Sequence, residues 1–528
     1  MQVYTKQKHI LIHYVIIFLL TIMFYTMASA KIQSMGQQRP DDIGDQNWNS
    51  LKQAIQQSKL TADDAEEVDL FGYSVSISGN RALVGARNNK TAYIFDLIEN
   101  TWTQTYVLSP TQITGEAIIN FGVSVSLSGN RALIGSDWNS SNSIGALFGS
   151  AYVFEFSNGD WLQTAKLNAN DASAGDQFGV FVSLSGSRAL IGSFLDDYNG
   201  FTNSGSAYIF DLSEGNWSQT AKLMASDGSS GDQFGHSVSL WGDRALIGAS
   251  PNESAYIFDL SEGSWSQTTI LMSDTGLAGD IFGRSVSLWG DRVLIGANGD
   301  SNSSGVAYIF EFLNTDWVQI TKLIADDGGI FDFFGISVSL SGDRAIIGAY
   351  GDDDLDFNSG AAYYFEINES NWEQVNKLVS DDGSAGDFFG YSVSLSGDRA
   401  LIGAYADDDD GTSSGSAYLI DLDLDTSFIV SGSVVGLIAG NDVELENNGL
   451  DLQIVANGVF AFATELPNLS SYNVTVKTAP TSPNQTCNIT GGSNGDGTGT
   501  INAVNVTDIE INCEFGDDLI FKNGFDNP

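Results

Sequence analysis

A proton shuttle of the Ser-His-Asp or Cys-His kind needs a histidine. Of three histidines, His9 and His13 fall within the first 30 residues, which leaves His236 alone in the rest of the chain. It occupies a slot held elsewhere by Tyr73, Val123, Arg284 or Ile336, and a variable slot in a structural repeat is more often a packing or surface position than a chemical one. Two cysteines and one available histidine are too few for the usual zinc sites. Paired carboxylates hydrolyse glycosides, but with 66 acidic residues no single pair stands out. No catalytic residue is assigned and no enzyme is expected.

The acids gather in short loops. Asp352, Asp353, Asp354 and Asp356 form one, Asp407, Asp408, Asp409 and Asp410 another, and Ala325–Asp332 and Ser380–Asp387 are of similar kind. Hard cations take several carboxylate and carbonyl oxygens from flexible loops, so Asp352, Asp353, Asp354, Asp356, Asp407, Asp408 and Asp409 are candidate calcium ligands. Asp and Gly are also what solvated turns favour, and none of these loops has the spaced pattern of a calcium loop. Calcium is the one ion considered; no cofactor is required.

Tryptophan supplies a second set of candidates. Trp102, Trp161, Trp217, Trp265, Trp317 and Trp372 hold one fixed place in a repeat and are expected to pack between neighbouring units. Trp241 and Trp289 instead replace serine in a Ser-Gly-Asp-Arg turn of two adjacent units, at an expected surface, and are the candidate ligand-binding residues. The arginine of that turn recurs at 81, 131, 188, 244, 292, 344 and 399. A ring of arginines suits an anionic sugar, but such regularity favours local pairing with a neighbour such as Asp243 or Asp343.

The elements that position these residues follow from the repeat. Phe-Gly recurs at Phe71, Phe121, Phe178, Phe234, Phe282, Phe334 and Phe389, at intervals of 50, 57, 56, 48, 52 and 55 residues. Each unit carries four strand signals. Ser-Val-Ser-Leu-Ser alternates, Ala-Leu-Ile-Gly is a continuous apolar run, Ala-Tyr-Ile-Phe-Asp-Leu is rich in β-formers, and Trp-Ser-Gln-Thr-Ala-Lys-Leu alternates again. Four strands repeated seven times predict an all-β, seven-bladed β-propeller. The seventh unit lacks its Trp strand, and residues 54–60 match that strand at the other end of the chain. They are expected to close the ring and cover its edge strands. Because strand direction alternates, both kinds of acidic loop should emerge on one face, giving it a strongly negative rim.

Phe-Gly-x-Ser-Val followed by Ile-Gly-Ala and Ala-Tyr-Ile-Phe resembles the FG-GAP repeat of integrin α-subunit propellers and of many exported bacterial proteins. The resemblance covers about residues 54 to 422 and implies the propeller fold and a binding role. It also implies an Asp-x-Asp-x-Asp-Gly calcium loop between Phe-Gly and Val-Gly-Ala. Here that interval reads Val-Ser-Leu-Ser-Gly-Asp-Arg-Ala, so those metal sites do not carry over.

Outside the repeat, residues 1–30 read as a secretory signal: Lys6 and Lys8, an apolar stretch from Ile10 to Met27, then Ala28-Ser29-Ala30. An uncut anchor is the rival reading. Cleavage takes Lys6 and Lys8 from the 22 basic residues and none of the 66 acidic ones, moving the net charge from −44 to −46. Such a surface repels phosphate backbones, so nucleic acid is excluded as an expected partner. Residues 31–47 form a linker, 48–425 the propeller, 426–514 a small β-sandwich, and 515–528 a tail. The sandwich resembles immunoglobulin-like or transthyretin-like modules, and Cys487 and Cys513, the only cysteines, are expected to pair in an exported chain. The expected function is that of an exported, non-catalytic, monomeric binding or adhesion protein, at the cell surface or secreted, holding a protein or glycan. The alternatives are a structural surface or matrix component, and a carboxylate-based polysaccharide-active enzyme.

Overall fold

The continuous apolar run of each unit sets the core. Ala-Leu-Ile-Gly buries side chains on both faces, as an inner strand of a stacked sheet must. The computed structural model describes residues 57–99, 101–111, 117–140, 148–274, 279–368, 371–422, 429–464, 466, 471–492, 494–500 and 506–515. The signal, the linker, Ala54 and the tail beyond Phe515 lie outside the described residues.

Within 57–422 there are seven antiparallel four-stranded sheets, the blades of a seven-bladed propeller. Blades 1 to 6 span 71–108, 117–167, 182–223, 237–271, 282–323 and 337–378. Blade 7 joins 392–421 to Gln57–Leu60, whose residues pair with the third strand from Gln57↔Ile420 to Leu60↔Ala417. Each hydrophobic cluster draws on two neighbouring blades: Leu83, Ile94 and Leu108 of blade 1 pack with Phe121, Ile134 and Tyr152 of blade 2.

The Phe-Gly dipeptide explains its own recurrence. Phe71 packs against Tyr93 and Phe95 of its own blade, at 5.4 and 6.0 Å between ring centres. The same trio recurs in blades 2 to 6, and in blade 7 Phe389 meets Tyr418 while Ile420 stands in the place of the second Phe. Gly72 has φ +85°, and a Cβ there would lie 2.1 Å from the Ser416 carbonyl oxygen of the adjacent blade.

The serines on the first strand tie blade to blade. Ser76 Oγ accepts from Leu127 N–H at 3.0 Å, Ser126 from Leu184, and the series closes where Ser394 accepts from Ile77 at 3.1 Å. A chain of side-chain acceptors that returns to its start is what a closed ring of repeats requires.

The C-terminal unit is a small β-sandwich. One sheet is Gly458–Ala461, Val430–Val435, Val506–Phe515 and Gln485–Thr490; the other is Leu450–Ile454, Val443–Asn447, Ser471–Thr478 and Thr498–Thr500. Val434, Ile509 and Ile511 of the first share a core with Leu445, Tyr472 and Val474 of the second. Cys487 and Cys513 form a disulfide between directly opposed residues of neighbouring strands, so the bridge staples one sheet and does not cross between the two.

Candidate functional site

The face on which third strands begin and fourth strands end carries the acidic loops, and a lysine sits at the centre of each of their main clusters. Asp352 is buried; its carboxylate accepts from Tyr363 Oη and pairs with Lys377 Nζ, both at 2.8 Å. Lys377 also pairs with Asp327 at 2.8 Å and with Asp354. Carboxylate oxygens of Asp327, Asp352 and Asp354 all lie within 4.8 Å of one another. Blade 7 repeats the design: Lys59 pairs with Asp382, Asp407 and Asp409 at 2.8, 2.9 and 2.6 Å, and Tyr418 Oη donates to Asp382 and Asp407. In blade 3 Lys222 joins Asp171 and Asp196. Burial opposes charge on Lys377 and Lys59, but the surrounding carboxylates win and hold both ammonium groups well above their ordinary value. Asp353 and Asp408 are exposed, and Asp356 Oδ1 accepts from Phe357 N–H. Of the seven candidate calcium ligands, four are therefore held by a lysine.

Each of these corners holds a further carboxylate that no lysine among the described residues neutralises directly. Asp176, Asp332 and Asp387 lie two residues before their Phe-Gly, are buried, and accept a backbone N–H from three residues earlier, as Asp387 does from Ser384 at 2.7 Å. Burial, reinforced by the neighbouring Asp196, Asp352 and Asp407, raises each to about 6.

The opposite face carries the arginine ring, and one expectation needs correction. The aspartate of each turn does not pair with the arginine of its own turn. Arg244 Nε bonds Asp259 of its own third strand at 2.7 Å, while its Nη1 reaches Gly290 O and Asp291 of the next blade at 3.1 and 2.7 Å. Asp243 is held by Arg188 of the preceding blade, and Asp343 by Arg292. The reason is reach: the guanidinium fork spans one turn and the next. The fourth-strand tryptophans complete this staple, since Arg188 lies 5.2 Å from the ring of Trp265, Arg244 5.2 Å from Trp317 and Arg292 5.4 Å from Trp372.

Trp241 and Trp289 end their first strands on this face. They are 40% and 37% exposed, and their ring centres are 4.1 Å apart with planes inclined at 42°. In five blades the serine of this slot accepts the turn glycine's N–H from the next blade, as Ser185 does from Gly242 and Ser341 from Gly397, each at 3.1 Å. The two tryptophans cannot, so Gly290 and Gly342 lose that acceptor.

His236 lies at the axial mouth on the acidic face. Its ring is 5.2 Å from Phe181 and 5.4 Å from Phe194, and Arg284 Nη1 donates to its Nε2 at 2.8 Å. Burial and the adjacent guanidinium push it down to about 3, so it is neutral with the proton on Nδ1. Around it the structure gathers aromatics that reasoning from the repeat passed over. Tyr391 contacts Tyr73, Tyr405 and Tyr350 at 5.2, 4.6 and 5.8 Å, and Phe388 and Phe333 stack on Tyr405 and Tyr350. The signal was available: Tyr73 and Tyr391 follow Phe-Gly, Tyr350 and Tyr405 follow Ile-Gly-Ala, and Phe333 and Phe388 precede Phe-Gly, slots that the repeat leaves free to vary and that blades 6, 7 and 1 fill with rings.

Solved structures with a similar fold include "Structure of U3-55K" (TM-score 0.46, 11% identity, covering 69% of this chain and 98% of that one) and "Crystal structure of RRP9 WD40 repeats" (0.45, 10%, 70% and 99%). Comparison with curated protein sequences finds no match. The model of the FG-GAP repeat matches seven times, at residues 55–95, 102–154, 161–210, 217–258, 265–310, 317–365 and 372–420. Each match begins near a fourth strand and ends in the third strand of the next blade, so the family's unit and the blade-to-blade stapling seen here coincide. With most of its length so matched, this chain belongs to the FG-GAP repeat family.

Proposed function

We propose that this is an exported, non-catalytic binding protein that presents a propeller face to a protein or glycan ligand, with Trp241 and Trp289 at the contact. A rigid ring of blades whose loops vary is a scaffold for binding. The observation that carries the reading is the tryptophan pair itself. Two large rings stand in solvent where five other blades keep a hydrogen-bonded serine, and the exchange forfeits two inter-blade hydrogen bonds. Exposed paired aromatics are what ligand faces use. Export rests on the signal at 1–30 and is supported by the Cys487–Cys513 bridge. Against catalysis stands the neutral, packed state of His236.

The convergence of Asp327, Asp352 and Asp354 favours a second reading, a cation-gathering rim on a structural surface component. On that reading an ion takes the place of the Lys377 amine.

The test is a binding screen of the mature protein against glycan and protein arrays, beside the Trp241→Ala/Trp289→Ala double variant. A ligand bound by the parent and lost by the variant supports the proposal, and equal binding by both removes the tryptophans from it. Turnover of any arrayed glycan would replace it with the enzymatic alternative.

A further inference from the structure

One arginine on the acidic face, Arg284, has no acid beside it. The chain has 66 acidic residues against 22 basic ones, and each of the seven turn arginines is paired with a carboxylate. Arg284 forms no ion pair among the described residues. Arg284 follows its Phe-Gly and lines an axial cavity of about 300 Å³ together with Tyr73 and Tyr391. Among the described residues, the acceptor it has is the neutral Nε2 of His236. Arg87, by contrast, lies 5.0 Å from the ring centre of Tyr73 and in the field of the buried Asp137 carboxylate, which leaves Arg284 as the guanidinium without an acid. A half-buried guanidinium without a carboxylate is costly, and in a chain this acidic a partner was easy to supply.

We propose that the axial mouth on the acidic face binds a hexuronic acid residue at the end of a glycan, with its carboxylate on Arg284 and its ring against Tyr391 and Tyr73. The guanidinium fork matches a carboxylate in two parallel hydrogen bonds. The tyrosines add flat apolar faces, and their hydroxyls, 3.2 Å apart, offer donors and acceptors to sugar hydroxyls. A cavity of this size lies at the small end of ligand sites and suits about one sugar ring. The acidic rim outside it repels a polyanion laid across the face, which restricts the occupant to a terminal or free residue. His236 belongs to the device: packed between Phe181 and Phe194, it holds Arg284 in place without cancelling its charge. This site is independent of Trp241 and Trp289, which lie on the other face.

The experiment is calorimetric titration of the mature protein with glucuronic, galacturonic and mannuronic acids. The methyl ester of each sugar serves as its neutral twin, and sodium sulfate as a bare anion. At least one acid should bind saturably, with its ester weaker by about tenfold or more. Arg284→Gln should weaken the acid to a similar degree, and Arg284→Lys should restore part of the loss. The ester comparison uses the parent protein, so it stands even where a variant fails to fold. Absence of saturable binding by all three acids, equal binding of acid and ester, or unchanged binding by a folded Arg284→Gln overturns the proposal. Sulfate binding as tightly as the acids would leave an anion site and overturn its assignment to a sugar.

Discussion

Trp241 and Trp289 lean on each other at 4.1 Å across two blades, each in a slot where serine would have bonded the next blade's backbone. Stability and stickiness are therefore opposed at this spot. Trp241→Ser/Trp289→Ser returns acceptors to Gly290 and Gly342 and removes apolar surface from water. We expect the double variant to be at least as stable as the parent, by up to about 1 kcal/mol per restored bond, while losing the ligand of that face. Parallel thermal melts and binding isotherms check this; a clear drop in midpoint would show the pair to be structural.

Lys377 plugs the corner formed by Asp327, Asp352 and Asp354. Lys377→Met leaves three converging carboxylates without a cation and should cost about 3 kcal/mol. The variant should then recover part of that loss when calcium is added, by mass action on the folded state. The parent should show a much smaller calcium-specific rise in melting midpoint. A saturable calcium-specific rise in the parent equal to that of the variant would mean that the ion displaces the amine.

Asp176, Asp332 and Asp387 titrate at about 6 in the folded protein, above the ordinary carboxylate value. A carboxyl group whose folded pKa is raised binds more protons when folded than when unfolded, between those two values. Its penalty is thus fully present above pH 6 and is relieved as pH falls toward 4. Asp171, Asp327 and Asp382 are lowered, by their lysines and by tyrosine hydroxyls, and their contribution is lost only below the ordinary carboxylate value. The melting midpoint should accordingly rise from pH 7.5 to about pH 5 and fall again below pH 4. A midpoint that declines steadily from pH 7.5 would contradict the burial of these three acids.

Arg244 joins two blades, with Asp259 on one and Asp291 on the next. Arg244→Lys keeps the charge but loses the fork and much of the contact with Trp317. We expect a loss of about 1–2 kcal/mol, most of it retained when Asp291 is already alanine, because Asp291 is exposed and its pair is screened. Urea melts of the four proteins of the double-mutant cycle measure the coupling; one above about 2 kcal/mol would make the exposed pair the principal clamp.

The ring of blades was legible because its determinants are local and repeated. Phe-Gly needs a positive φ beside a neighbouring blade, and each Phe meets the same Tyr partner, so the same letters recur seven times. The arginine pairing was misread because Asp243 is adjacent to Arg244 in sequence but faces Arg188 in space. Lys59 and Asp407 meet across 348 residues, and nothing in the linear order of an acidic loop announces a lysine from the opposite end of the chain. The axial mouth was hidden for the converse reason: its residues sit where the repeat stops repeating, one per blade, and only the ring brings Tyr73, Tyr391 and Arg284 to one opening.

The seventh blade is held shut by Gln57–Leu60, four residues paired with Ile420 to Ala417 and anchored by Lys59. Tension applied from the N-terminal side meets this strand before any other part of the ring. Whatever tethers the protein by that end therefore loads a four-residue clasp, and the clasp is the mechanical fuse: once it peels away, the ring has two ends and opens from blade 7.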